Sequence, residues 1–244
     1  MNVRATFGTA RRVATQLRRD RRSLALVFVV APGLLALFKY VFNNQPQTFA
    51  RIGAPLVGLF PLVLMFLITS ITMLRERTTG TLERLMSMPL AKLDLLAGYG
   101  LAFAVVAAIQ AGITGGIAFG LLDIKTNGPV WAVILLAVAN AMLGMALGLL
   151  TSAFATTEFQ AIQFMPAFLF PQLIVAGMFV PRPHMPHVLG VISDALPVTY
   201  AYQALAKVAS DDIDTRLWID IGIVVASIVV ALILGALTLR RRTP

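Results

Sequence analysis

The chain has 244 residues, of which 58% are hydrophobic and only 13% charged, and its net charge is +9. Soluble domains hold about 45–50% apolar and about 25% charged residues, so this composition excludes an ordinary soluble domain. The mean hydropathy of +0.84 indicates a membrane protein, and a chain without cysteine forms no disulfide.

The apolar residues are grouped in six long blocks, each of which reaches the about 17–25 residues that cross a bilayer. Because the bilayer core offers no partner for free backbone groups, such blocks must be helices. The sequence therefore predicts one all-α membrane domain over 1–244 with six transmembrane helices. The predicted spans are 23–42, 52–74, 93–122, 130–151, 159–180 and 217–239. The first block is too long for a signal peptide, and five spans follow it.

Residues 1–22 precede the first span and predict an interfacial helix. Apolar residues recur there at steps of three and four, with arginines mostly on the other faces. The apolar residues are Val3, Phe7, Ala10, Ala14 and Leu17. The alternative is a disordered basic tail that only fixes the topology. In the first interpretation, the basic face of the helix contacts anionic membrane lipid.

The basic residues fall mainly on one side of this topology. Of the 20 Lys and Arg residues, 14 lie before span 1, between spans 2 and 3, or after span 6. The positive-inside rule then places both termini in the cytoplasm of a multi-pass protein of the cell membrane, which we expect to be a bacterial inner or plasma membrane. The charge needs no nucleic acid to explain it.

Glycines at four-residue intervals lie in spans 3 and 4. Span 3 contains Gly112, Gly116 and Gly120, and span 4 contains Gly144 and Gly148. Small residues at this spacing let helices approach closely in lipid. We therefore expect both sets to form helix-packing seams.

Span 5 is more polar than the other spans, with three glutamines and two prolines. One interpretation is that its amides form hydrogen bonds across a helix interface. The other is a kinked helix that lines the path of an amphipathic solute. The path residues would be Phe164, Phe168, Gln163 and Gln172.

The segment between spans 5 and 6 is too apolar for a free loop, but four prolines divide it. Over 181–207 it predicts two short re-entrant helices in the outer leaflet, packed against protein. His184 and His187 are not expected to bind metal, because no acidic or cysteine ligand lies close in sequence and Pro186 breaks the helical spacing.

The sequence lacks the motifs of several function classes. It contains no P-loop, no HExxH and no Gly-x-Ser-x-Gly, and its spans hold almost no charged residue. Ion-coupled carriers place such charges in the membrane. The energy for a transport function would therefore come from another protein.

The stretch RERTTGTLERLMSMPL, residues 75–90, is the one substantial cytoplasmic loop of this topology. Gly80 marks a break after span 2, and Pro89 ends a predicted helix over about 81–88. The apolar side of that helix consists of Leu82, Leu85 and Met86. Such a helix can bind in the groove of a partner. Alternatively, it caps the bundle in water.

Two motifs resemble those of ABC-2 (type V-like) exporter permeases. The first is Arg75-Glu76-Arg77 followed by Thr79-Gly80-Thr81-Leu82-Glu83-Arg84-Leu85 and Pro89. The second is Gly177-Met178-Phe179-Val180-Pro181, then Met185-Pro186 and Leu196-Pro197-Val198-Thr199-Tyr200. They resemble the coupling helix and the outer re-entrant segment of that family. The resemblance covers nearly the whole chain.

This resemblance implies half of a transporter rather than an enzyme. Two permeases, identical or not, would pair and bind separate ATPase subunits that hold ATP and Mg²⁺, with no cofactor in this chain. Glu76 and Glu83 would form salt bridges within the assembly, and the apolar side of the coupling helix would fill the ATPase groove. The ATPase-coupling residues would be Arg75, Glu76, Thr79, Gly80, Thr81, Leu82, Glu83, Arg84, Leu85 and Met86.

Among such permeases, the chain is similar to drug-efflux members of the daunorubicin-resistance type. That similarity implies export of a hydrophobic or amphipathic solute, either drug-like or lipid-like. Export of a polysaccharide or glycolipid is the alternative within the family. Outside it, a stand-alone structural or immunity protein and an ion-coupled carrier remain alternatives.

Overall fold

A computed structural model describes residues 3–81 and 92–238, and these residues form an all-helical structure without strands. This confirms the predicted fold class. Nine α-helices fall within the described ranges. They are α1 (Val3–Arg19), α2 (Arg21–Val41), α3 (Pro46–Thr78), α4 (Lys92–Gly116), α5 (Val130–Thr151), α6 (Glu158–Val175), α7 (His187–Asp194), α8 (Pro197–Ser210) and α9 (Thr215–Leu237). The predicted coupling helix over 81–88 lies outside the described residues except for Thr81.

Five of the described helices are long and apolar enough to cross a membrane. Their apolar segments are Leu24–Val41, Ile52–Thr78, Ala97–Leu121, Val130–Thr151 and Thr215–Leu237, the third of which includes a π-helical turn, Ile117–Leu121, that follows α4. Helix α6, at the predicted fifth span, is not among them. It ends at Val175 rather than at residue 180, because the chain turns through Gly177, which has a φ of +106°. The crossing of the membrane by span 5 therefore stays a prediction.

Helix α3 is longer than the predicted second span of 52–74, since it runs from Pro46 to Thr78. Arg75 and Glu76 therefore lie on the last helical turn and not in a loop. Two prolines inside α3 do not end it, because its ladder of backbone hydrogen bonds resumes beyond each of them. The basic end of the span is therefore helical through Thr78.

Helices α3 and α5 form the centre of the bundle and approach closely along their length. A Cβ atom built on Gly144 would lie 2.0 Å from the carbonyl oxygen of Leu62, and one on Gly148 would lie 2.4 Å from that of Phe66. Real Cβ atoms do not approach backbone oxygens this closely. The two glycines therefore form a packing seam, as the sequence predicts.

The predicted seam in span 3 does not form within this chain. A Cβ atom on Gly112, Gly116 or Gly120 would meet no other atom within 4 Å. Gly115 instead packs against α5, at 2.6 Å from Ile134. Successive residues on a helix point about 100° apart, so Gly115 faces α5 while the predicted glycines face away from the rest of this chain. A seam formed with another chain stays a prediction.

The segment between α6 and α9 forms two short helices with different surroundings. Helix α8 is buried, and the side-chain amide of Asn140 on α5 donates to the carbonyl of Ala201 at 3.2 Å. The backbone of Gly128 lies against the end of α8, where a Cβ atom would be 1.8 Å from the Val208 carbonyl oxygen. Helix α7, by contrast, exposes Val188 and Val191. The inner helix of the pair is therefore part of the core.

Substitution of Gly148 by alanine is expected to destabilise the protein strongly, because the new methyl group would overlap the backbone of α3. Gly116→Ala on α4 is a matched control with open space around it, and it should keep or slightly raise stability. Thermal unfolding of the purified chain in detergent measures both. Equal melting temperatures for the two variants would contradict the assigned seam.

Candidate functional site

The candidate site lies at the C-terminal end of α3, where the first sequence motif begins. The backbone N–H of Thr79 donates to the carbonyl of Arg75 at 2.9 Å, and the Thr79 hydroxyl donates to the same oxygen at 2.7 Å. Gly80 then takes a left-handed conformation with a φ of +70°. These contacts end the helix sharply and hold Arg75 and Glu76 on its last turn.

Glu76 forms a salt bridge with Arg12 of α1. One guanidinium nitrogen of Arg12 (Nη2) donates to both carboxylate oxygens at 2.8 Å. The Glu76 side chain is only 3% exposed, whereas that of Arg12 is 33% exposed. A buried carboxylate is costly unless a cation pairs with it, so Arg12 is what makes the position of Glu76 possible.

The electrostatics of this pair keep Arg12 charged. Burial lowers the pKa of Arg12, but its hydrogen bond to Glu76 and the other interactions of the guanidinium with its neighbours together outweigh that effect, so the pKa is raised. The buried hydroxyl of Tyr99, on α4, lies beside the pair. Three helices therefore meet at this contact.

Helix α1 packs closely against α4 because a glycine of α4 leaves room for it. A Cβ atom on Gly98 would lie 2.6 Å from the Cβ of Thr9 and 2.8 Å from the carbonyl oxygen of Thr6. Both threonines are buried, whereas Val3 and Phe7 of the predicted apolar side are exposed. Those two residues are 64% and 61% exposed. The prediction missed the rotation that brings Arg12 to Glu76.

Arg75 forms a second ion pair, with Glu158 at the start of α6. The two side chains join through two parallel contacts, Nε to Oε1 at 2.7 Å and Nη2 to Oε2 at 3.0 Å. Both side chains are about half exposed, at 53% and 51%. The geometry is the two-pronged one that suits arginine and carboxylate best. Because the pair is solvated, it contributes only about 0–1 kcal/mol to stability.

The start of α6 is fixed by its own hydrogen bonds. The hydroxyl of Thr157 accepts from the backbone N–H of Gln160 at 3.2 Å, and the Gln160 side chain accepts from the N–H of Thr156 at 2.8 Å. The hydrogen bond from Arg75 holds the pKa of Glu158 below its usual value. The pair is therefore intact at neutral pH and is lost only as the pH falls through that lowered pKa.

The four candidate path residues do not share one environment. Phe164, Phe168 and Gln172 recur every four residues along one stripe of α6, whereas Gln163 is exposed and lies off it. Phe168 stacks on Phe66 of α3 with ring centroids 6.3 Å apart. Gln172 is 2% exposed and donates to the carbonyl of Phe168. The stripe thus packs partly against α3.

Sequence reasoning singled out neither Arg12 nor Glu158 as site residues. Glu158 is the one charged residue in the short stretch 152–158 that follows α5, and this was an available signal. Arg12 has no such signal, since seven arginines precede span 1. The predicted coupling residues Leu82, Glu83, Arg84, Leu85 and Met86 lie outside the described residues.

Replacing Glu76 by alanine is expected to cost roughly 3 kcal/mol of unfolding free energy, because it leaves a partly buried guanidinium without its partner. The matched control is Glu158→Ala, which removes a carboxylate from an exposed pair and should cost less than about 1 kcal/mol. Urea unfolding of the purified chain in detergent gives both values. An equal loss in the two variants would show that the Arg12–Glu76 pair has no special weight.

Comparison with known proteins identifies relatives of this chain. The chain is 25% identical over 206 residues to ABC transporter G family member 20 of Dictyostelium discoideum, an alignment of 83% of this chain and 28% of that protein. It is 29% identical over 140 residues to the linearmycin resistance permease protein LnrN of Bacillus subtilis, 57% of this chain and 36% of that protein.

A further relative is the probable multidrug ABC transporter permease YbhR of Escherichia coli, 27% identical over 131 residues, 54% of this chain and 36% of that protein. The matches thus span about a third of the length of these relatives. The profile of the ABC-2 type transporter family matches residues 5–209, which include the candidate site and the re-entrant segment. This chain belongs to the ABC-2 type transporter family.

Proposed function

We propose that this chain is the permease subunit of an ATP-driven exporter of a hydrophobic or amphipathic solute. Family membership and relatives named as resistance and multidrug permeases support an export role. The observation that carries the proposal is the last turn of α3, which is tied to two other helices directly before the loop that bears the coupling motif. A loop that only capped the bundle would need no such attachment.

In this proposal, energy comes from separate ATPase subunits that hold ATP and Mg²⁺. The segment 81–88 binds in a groove of the ATPase through Leu82, Leu85 and Met86. Closure of the ATPase pair on ATP moves this segment, and the movement passes to the end of α3. Two permeases, identical or not, enclose the path in a cell membrane, with both termini in the cytoplasm.

The two ion pairs have different roles in that movement. The buried Arg12–Glu76 pair joins α1 to α3, so that these helices move as one body. The exposed Arg75–Glu158 pair is weak enough to break and re-form within a transport cycle. It links the moving end of α3 to the first turn of α6.

Helix α6 is the proposed carrier of the solute path. Its stripe of Phe164, Phe168 and Gln172 combines aromatic surface with a buried amide whose Oε1 has no hydrogen-bond partner among the described residues. Apolar surface with a few polar groups suits an amphipathic ligand. When the Arg75–Glu158 link shifts α6 relative to Phe66, the stripe would become open to the solute.

Reconstitution of the chain with its ABC ATPase in vesicles tests the proposal. Hydrophobic drugs and lipid-linked saccharides are screened for stimulation of ATP hydrolysis, and we expect drugs or single lipids to stimulate. Stimulation by the saccharides alone would assign the chain to polysaccharide or glycolipid export. Function without any ATPase would contradict the proposal.

The double variant Leu82→Asp with Glu83→Lys should abolish ATP-driven transport, since it places charge in the groove and reverses the adjacent charge. The matched control is Ile213→Asp with Asp212→Lys, the same chemical changes at exposed positions before α9. Co-purification of the ATPase and transport are measured together. If the first variant binds the ATPase and transports like the control, the docking role of 81–88 is wrong.

A further inference from the structure

Helix α1 uses only one face to pack against the bundle. Thr9, Ala10, Val13 and Leu17 on that face are at most 7% exposed. The remainder of the helix surface is open, although its apolar residues would normally be covered. Its surface chemistry therefore indicates what it contacts.

The open surface is ordered into an apolar edge and a row of arginines. Val3 and Phe7 form the edge next to the packed face. Arg4, Arg11 and Arg18 follow it around the helix, and all three are exposed. Residues seven apart lie within about 20° of one another on an α-helix, so the three guanidinium groups form one row along the axis.

The position of α1 places this row at the membrane surface. Only Asp20 separates α1 from α2, whose apolar segment begins at Leu24. On its other side, α1 packs on Gly98, next to the start of the apolar segment of α4 at Ala97. Two spans thus begin at the level of α1. The helix lies where headgroups meet acyl chains.

We propose that Arg4, Arg11 and Arg18 bind the phosphate groups of anionic phospholipids, with Val3 and Phe7 inserted at the edge of the acyl chains. A guanidinium is well suited to a phosphate. None of the three forms a salt bridge with another residue of the described ranges. Their charge is therefore free for an external anion.

The arrangement favours lipid over an acidic protein surface. In a bilayer, phosphates lie directly beside acyl chains, which is the order of the arginine row and the apolar edge around α1. Arg12 and Arg19 lie on the opposite flank of the row, and Arg12 is bound to Glu76. The lipid site is thus distinct from the α1–α3 contact, and it does not depend on the proposed transport function.

Lipid binding to the intact chain, purified in detergent, tests the proposal. Native mass spectrometry measures binding of phosphatidylglycerol and phosphatidylcholine to the unchanged chain and to Arg11→Gln with Arg18→Gln. We expect the affinity for phosphatidylglycerol to fall about 30-fold in the variant, since each of the two lost basic contacts costs about fivefold. Affinity for phosphatidylcholine should not change. Arg11→Lys with Arg18→Lys keeps the charge and should retain most of the binding.

The matched control is Arg19→Gln with Arg21→Gln, which removes the same charge from exposed positions outside the row. The proposal requires this control to bind phosphatidylglycerol nearly as the unchanged chain does. An equal fall in both variants would overturn the site, because net charge alone would then explain binding. Unchanged lipid binding with loss of a co-purified ABC ATPase would also overturn it, in favour of a protein contact.

Discussion

The burial of the Glu76 carboxylate is the constraint on which the arrangement of this bundle depends. A charge at the end of an apolar helix costs several kcal/mol unless a cation neutralises it. Arg12 supplies that cation. Because its side chain must extend to Glu76, α1 is rotated about its axis so that Arg12 faces the end of α3. The same rotation places Thr9 against Gly98 and leaves Val3 and Phe7 uncovered. One ion pair thus determines both the inner contact of α1 and its outer surface.

The neighbouring residue has the opposite character. Arg75 is one position earlier on α3, but its pair with Glu158 is half exposed. Adjacent residues on a helix point about 100° apart, so one faces the bundle and α1 while the other faces α6 at the surface. A buried, stable ion pair and an exposed, weak ion pair are therefore formed by adjacent residues of α3. In the proposed transport cycle, the stable pair would keep α1 and α3 together while the exposed pair lets α3 shift relative to α6.

Features that a single helix determines by itself could be predicted from the sequence, whereas features that depend on how helices face one another could not. The long apolar blocks required helices, and α5 runs over the 130–151 block that hydropathy indicates. The Gly144–Gly148 seam was visible because small residues act at fixed spacing along one helix. Hydropathy could not supply the rotation of a helix, so it did not show that Thr6 and Thr9 of α1 are buried or that Gly115 contacts α5.

The sequence also did not indicate which residues of different helices form ion pairs. The importance of Glu76 was predicted from its motif, whereas the choice of Arg12 among seven N-terminal arginines needs the fold. The end of α6 depends on the backbone turn at Gly177, which periodicity does not record. The solute path has the weakest basis in sequence, since a glutamine serves equally in packing or in binding.

The central claim is that the end of α3 transmits movement to α6 through Arg75 and Glu158. Charge reversal tests it most directly in the complex reconstituted with the ABC ATPase, with the solute that stimulates ATP hydrolysis there. Arg75→Glu and Glu158→Arg should each lower the amount of solute transported per ATP hydrolysed, and the double reversal should restore it. If both single variants transport with an unchanged ratio, the link carries no movement and the account is wrong.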